Sequence, residues 1–239
     1  PANGSTAATR SNRALAEWTS SGTGAAGGTR MLDRVTGTGV ANPAGGYFTA
    51  SIDIVEASCT TASARSQIAL ALGGTTLTSS PITACTDARS AFYTSPLVSG
   101  QTGWVYGGDA VRAGRFTATG SVRVAAGELG SLRPTVRNLN LSSGGNDVGV
   151  DNLRILDVTP SLDVAFGDES VVAGTPTTLT YTVTNTGELA AKADWGFANT
   201  LPTGLRVAAT PNVGGTCTNG SGTAYSVVAA AGSSSVTVA

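Results

Sequence analysis

The chain has 239 residues, of which 12% are charged, and its 14 basic and 15 acidic side chains leave a formal net charge of −1. Such a surface has no basic field with which to hold nucleic acid or an anionic membrane, and both are excluded as partners. Histidine is absent and Lys192 is the only lysine, which removes the commonest general base and metal ligand together with the usual Schiff-base nucleophile.

The length suits two domains of ordinary size, each able to bury a core. With 32 glycines and five phenylalanines, the chain covers itself in Ser, Thr, Asn and Gly, a composition of many short strands and turns. No apolar run approaches the roughly 20 residues of a membrane span. The opening PANGSTAATR lacks the apolar stretch of a signal peptide, so the chain reads as a mature or trimmed sequence.

In chain order, SNRALAEW carries the one helical hint, and Trp18 there suits a core or a ligand equally. GTGVANPAGG is glycine-rich but lacks the Lys-Ser/Thr ending of a phosphate loop, so it reads as a turn. Strand candidates follow: GYFTASIDIVEAS, then SQIALALGG and TTLTSSPIT as a hairpin around Gly73 and Gly74. Cys59 and Cys85 flank that hairpin, and a bridge between them would imply an oxidising compartment. The alternative is two buried thiols in a cytosolic protein.

GWVYGGD places Trp104 and Tyr106 two apart on one face of a strand, with Asp109 and Arg112 nearby. Rings like these stack on a pyranose while polar neighbours fix its hydroxyls, so the four are candidate ligand-binding residues. The competing reading puts the rings in the core. In GRFTATGSVRVAAG, Phe116, Ala118, Val122 and Val124 alternate on one side, with Gly120 as a bulge or twist point. PTVRNLNLSS and VDNLRILDV complete at least seven strands, and in the latter Leu153, Ile155 and Val158 alternate imperfectly. A jelly-roll or related sandwich is the expected fold of residues 1–158.

GGNDVGVDNLRILDVTP resembles the last strand of jelly-roll domains in bacterial surface and carbohydrate-binding proteins, with Asp147, Asp151 and Asn152 at matching positions. The resemblance implies a structural calcium ion held with help from Asp147 and Asp151, since hard cations take carboxylate and carbonyl oxygens. The alternative makes Asp147 a turn cap and leaves Asp151 solvated.

DVTPSLD marks the boundary, because Pro160 holds Thr159 extended and cannot donate to a ladder. Residues 159–239 then read as consecutive strands: SLDVAF, TTLTYTVTN, DWGFAN, GLRVAA, AYSVVA and SSVTVA. In LTYTVTNTG, Leu179, Tyr181 and Val183 alternate with three outward threonines before Asn185, Thr186 and Gly187 close the strand. Tyr181, Asn185, Gly187, Leu201, Pro202, Gly204 and Leu205 carry a resemblance to the Ig-like repeat found in tandem in large bacterial cell-surface proteins and adhesins. It implies an Ig-like sandwich acting as a stalk, with Cys217 as half of a bridge whose partner lies beyond Ala239. Lys192, the one donor for an isopeptide bond, reads as part of an exposed turn.

No Ser-His-Asp or Cys-His set can form without histidine, and nothing in the spacing of Asp33, Asp53, Glu56 and Asp109 selects a glycosidase pair. The expectation is an all-β, non-enzymatic, extracellular adhesin fragment of a bacterial cell surface, binding a glycan or a host or neighbouring-cell protein through residues 1–158. Two alternatives stand beside it: a structural subunit of a surface layer or filament that self-associates through an edge strand, and a carbohydrate-binding appendage of a secreted hydrolase.

Overall fold

The structure of the chain is a computed structural model that describes residues 14–17, 29–33, 45–56, 59, 64–72, 74–93, 111–140, 147–185, 187, 190–218 and 222–239. The protein is all-β and every registered strand pair is antiparallel. Two compact units divide it, Pro1–Thr159 and Pro160–Ala239. Among the described residues no helix is long and apolar enough to cross a membrane.

The first unit runs β1 (Leu15–Glu17), β2 (Thr29–Asp33), β3 (Gly46–Glu56), β4 (Ser66–Leu72), β5 (Thr75–Thr78), β6 (Ala91–Tyr93), β7 (Val111–Thr117), β8 (Val122–Val124), β9 (Arg133–Asn138) and β10 (Val148–Asp157). One sheet has the order β1-β10-β3-β7-β6, with β8 also on β3; the other has the order β2-β9-β4-β5. Their inner faces share one core. Phe48, Ala50, Ile52 and Ile54 point inward at every second position of β3, and Ile68 and Leu70 of β4 with Val136 of β9 meet them from the second sheet.

Both β7 and β8 lie along β3, and Phe116, Ala118, Val122 and Val124 keep one inward phase across Gly120, whose φ is +93°. SNRALAEW contributes a strand, not a helix: Leu15–Glu17 is the edge partner of Val148–Val150, and that pairing overrides a weak local preference. The uneven alternation in VDNLRILDV is a β-bulge. Asp151 faces Asp53 and Arg154 faces Ser51, so Asn152 and Leu153 together oppose Ile52, and Asn152 takes φ +49°.

The unit closes at its last residues. Val158 N–H donates to Tyr47 O at 2.8 Å, and Tyr47 N–H donates to Thr159 Oγ1 at 2.9 Å. That hydroxyl fills the space a side chain at position 46 would need, since a Cβ on Gly46 would lie 2.3 Å from it.

The second unit comprises β11 (Ser161–Phe166), β12 (Leu179–Thr184), β13 (Phe197–Thr200), β14 (Val227–Val228) and β15 (Ser235–Val238). They form the sheets β11-β12 and β13-β15-β14. Tyr181 and Phe197 join the two, with ring centroids 5.0 Å apart and Asn199 Nδ2 donating to Tyr181 Oη at 2.7 Å. In the LPTGL segment Leu205 N–H donates to Pro202 O, and Gly204 has φ +94°, the third position of a type II turn. GLRVAA forms no strand; Val207 exchanges only single hydrogen bonds with the 232–233 turn. Lys192, expected in an exposed turn, is instead 7% exposed and its Nζ donates to Ala190 O, while Ala191, Ala193 and Asp194 beside it are exposed.

Candidate functional site

Trp104, Tyr106 and Asp109 of the sequence-derived ligand set lie outside the described residues. Arg112 is described. It stands opposite Glu56 on β3, and its guanidinium donates to Cys85 O at 3.1 Å and to Ser90 O at 2.9 Å. The same loop is held from below by Glu56, whose Oε2 accepts Cys85 N–H, and it is linked covalently to Cys59. Arg89 reaches back to Asp87 in a two-point ion pair, and this neighbour holds the Asp87 carboxyl down to about 2. Burial pushes the Glu56 carboxyl above its ordinary range, against the opposing pull of the Cys85 and Ala84 amides.

On the outer face of the larger sheet, Asp53 accepts both arms of Arg115, at 2.7 and 2.9 Å, and Nδ2 of Asn152 at 2.9 Å. These partners, Arg115 foremost, hold its carboxyl below the usual range. Asp151 Oδ1 accepts Asn152 N–H at 2.7 Å. Asp147 directly precedes β10 and is buried. Among the described residues no group of three or more His, Cys, Asp or Glu is placed to hold a metal ion.

The outer face of the smaller sheet carries a shallow groove of about 260 Å³. Its floor is β4, which contributes Gln67, Ala69 and Ala71 at alternate positions. Thr76 and Thr78 of β5 form one wall, and Arg133, Thr135 and Arg137 of β9 form the other. The alternation that sends Ile68, Leu70 and Val136 into the core sends these polar and small residues out. Gln67 Nε2 donates to Ser79 O at 3.1 Å, which fixes the amide with its oxygen free to accept. Arg133 is paired with Asp33, Nη2 to Oδ2 at 2.7 Å. Arg137 has a buried Nε with no acceptor among the described residues.

Sequence reasoning missed this groove, although SQIALALGG and PTVRNLNLSS were legible as strands. Their outward residues come together only because β9 pairs with β4 across more than sixty positions of chain, from Ala69 to Thr135.

Residues 160–239 match a protein family described as "Domain of unknown function (DUF7933)". Among solved structures, the chain is similar to one described as "EclA C-terminal domain; sugar-binding protein", at 20% identity over 61% of this chain and 79% of that one, with a TM-score of 0.32. That superposition is too loose to carry an argument about fold or ligand. No curated protein matches the sequence.

Proposed function

We propose that the first unit is a non-enzymatic, glycan-binding sandwich of a bacterial cell-surface adhesin, carried on an Ig-like stalk formed by the second unit. The observation that carries this reading is the groove across β4, β5 and β9. Threonine hydroxyls, a fixed amide and guanidinium groups converge there on a space just below the roughly 300–1,000 Å³ of small-molecule sites. Those groups suit the hydroxyls of one or two sugar rings, and the alanine floor leaves room for a ring to lie flat. The Cys59–Cys85 bridge supports an extracellular location.

A glycan array probed with the full 239-residue chain tests the reading. Saturable binding that weakens about tenfold in a Thr76→Ala, Thr78→Ala double variant is the expected result, since each lost hydrogen bond removes roughly 0.5–1.5 kcal/mol. A folded chain that binds no glycan, or one whose binding ignores both threonines, defeats it.

A second reading, self-association through an edge strand, has its own support. Among the described residues β11 pairs with β12 alone, and its Leu162, Val164 and Phe166 share one face and are 43–49% exposed.

A further inference from the structure

The groove is not electrically neutral. Its lining includes two guanidinium groups and no carboxylate. Arg133 is compensated from outside by Asp33, whose hydrogen bond raises the guanidinium further above its ordinary value. Arg137 has no such partner among the described residues. On β4 it faces Gln67, and among the described residues no acid pairs with it. Its Nε is closed off from solvent yet meets no acceptor, a state that buried N–H groups rarely keep without an unseen partner.

We infer that the groove selects a saccharide bearing a carboxylate, and that Arg137 is the residue that receives it. This rests on the glycan-binding reading above and adds the charge class of the ligand. A guanidinium is planar, permanently charged and spaced to give two parallel hydrogen bonds to a carboxylate, which a neutral sugar hydroxyl cannot match. With Arg137 at the carboxylate, the Gln67 oxygen and the hydroxyls of Thr76 and Thr78 lie across the alanine floor for the ring hydroxyls. Specificity then follows from the arginine as well as from shape. A neutral analogue would leave the cation unanswered when the ligand excludes water.

The geometry favours a sugar over an acidic peptide. The floor strand β4 is hydrogen-bonded on both sides, to β5 and to β9, so its backbone has no free edge for an extended chain. Only side chains face the ligand.

The test measures binding of the full chain to a uronate-terminated oligosaccharide and to the same oligosaccharide with its carboxyl reduced to an alcohol. A short poly-glutamate peptide serves as a third probe. Tighter binding of the acidic sugar by about tenfold or more is expected, with the preference erased in Arg137→Gln and partly kept in Arg137→Lys. The preference should also shrink with added salt. Equal binding of the two sugars overturns the inference while leaving the glycan reading intact, and this comparison needs no variant to fold. Failure of both sugars overturns both. A preference that survives in a folded Arg137→Gln chain removes the role from Arg137. Peptide binding that depends on Arg137, without sugar binding, replaces the ligand class.

Discussion

Cys85 N–H donates to Glu56 Oε2 at 3.0 Å, so a carboxyl at the inner end of β3 holds one half of the disulfide through its peptide. Glu56 is fully buried, and Arg112 grips the carbonyl of the same cysteine from the opposite strand. Both backbone polar groups of Cys85 are thereby fixed by side chains 56 positions apart in sequence, Glu56 and Arg112.

Glu56 makes stability depend on pH in an identifiable direction. Burial raises its carboxyl above the ordinary 4.5, so the folded chain keeps the proton where the unfolded chain has already lost it. Stability from this group is complete below about 4.5 and falls as pH rises through the folded value. Glu56→Gln keeps an acceptor for Cys85 N–H and removes the titration. Urea midpoints measured from pH 4 to 8 should therefore decline less in the variant than in the parent. Parallel curves would mean that Glu56 is not the titrating group.

The opposite sign holds at Asp87. Arg89 holds its carboxyl at about 2 against an ordinary 3.8, so its contribution is present above 3.8 and lost as pH falls through about 2. Asp87→Asn should flatten the acid limb between those values. Direct carboxyl titration by NMR gives an independent check, and a midpoint near 3.8 would contradict the ion pair.

Removing the Cys59–Cys85 bridge by replacing both cysteines with serine is expected to cost about 3 kcal/mol, from the loop of 26 residues it closes. For a chain of this size that corresponds to a fall in Tm of roughly 6–12 °C. Calorimetry of the parent with and without reductant should reproduce the same shift. A change below about 1 kcal/mol would show that hydrogen bonds alone hold the 83–90 loop.

Gly46→Ala should be among the most damaging small substitutions in the first unit. The added methyl would meet Thr159 Oγ1 at 2.3 Å on a backbone with φ +155°. A loss of about 2–3 kcal/mol is expected in chemical unfolding. Thr159→Ala relieves the collision but forfeits the Tyr47 hydrogen bond, so the double variant should be less destabilised than the sum of the singles. Strict additivity would separate the two residues.

Edge pairing through β11 predicts a mass that grows with concentration in light scattering. Phe166→Ser, on a residue 45% exposed, should suppress that growth while leaving Tm within about 1 °C. A concentration-independent mass would remove the assembly reading.

The parts of the fold legible in sequence were those set by local alternation. Phe116, Ala118, Val122 and Val124 share a phase because each is two or four residues from the next, and β3 and β4 were legible for the same reason. Gly204, which carries part of the family resemblance, occupies a type II turn position that requires a glycine. Leu15–Glu17 was not legible, because three residues carry too little periodicity and their partner lies more than 130 positions away. The burial of Lys192 was equally hidden, since it depends on packing within the second unit and not on the residues beside it. The groove combines both cases: its outward residues alternate visibly, but their assembly into one face is a matter of long-range strand order.

The bulge at Asn152 bears on how the chain tolerates changes in length. Val148 and Val150 point inward before it, and Leu153 and Ile155 pack on the core after it. Deleting Asn152 would leave Val150, Leu153 and Ile155 on alternate positions of an unbroken ladder, facing the same way as now. The core is thus indifferent to a one-residue deletion at this point, and the loss falls on Asp53, which forfeits the Asn152 amide. A homologue one residue shorter here could align with every inward side chain preserved, its gap confined to the solvent side of the sheet.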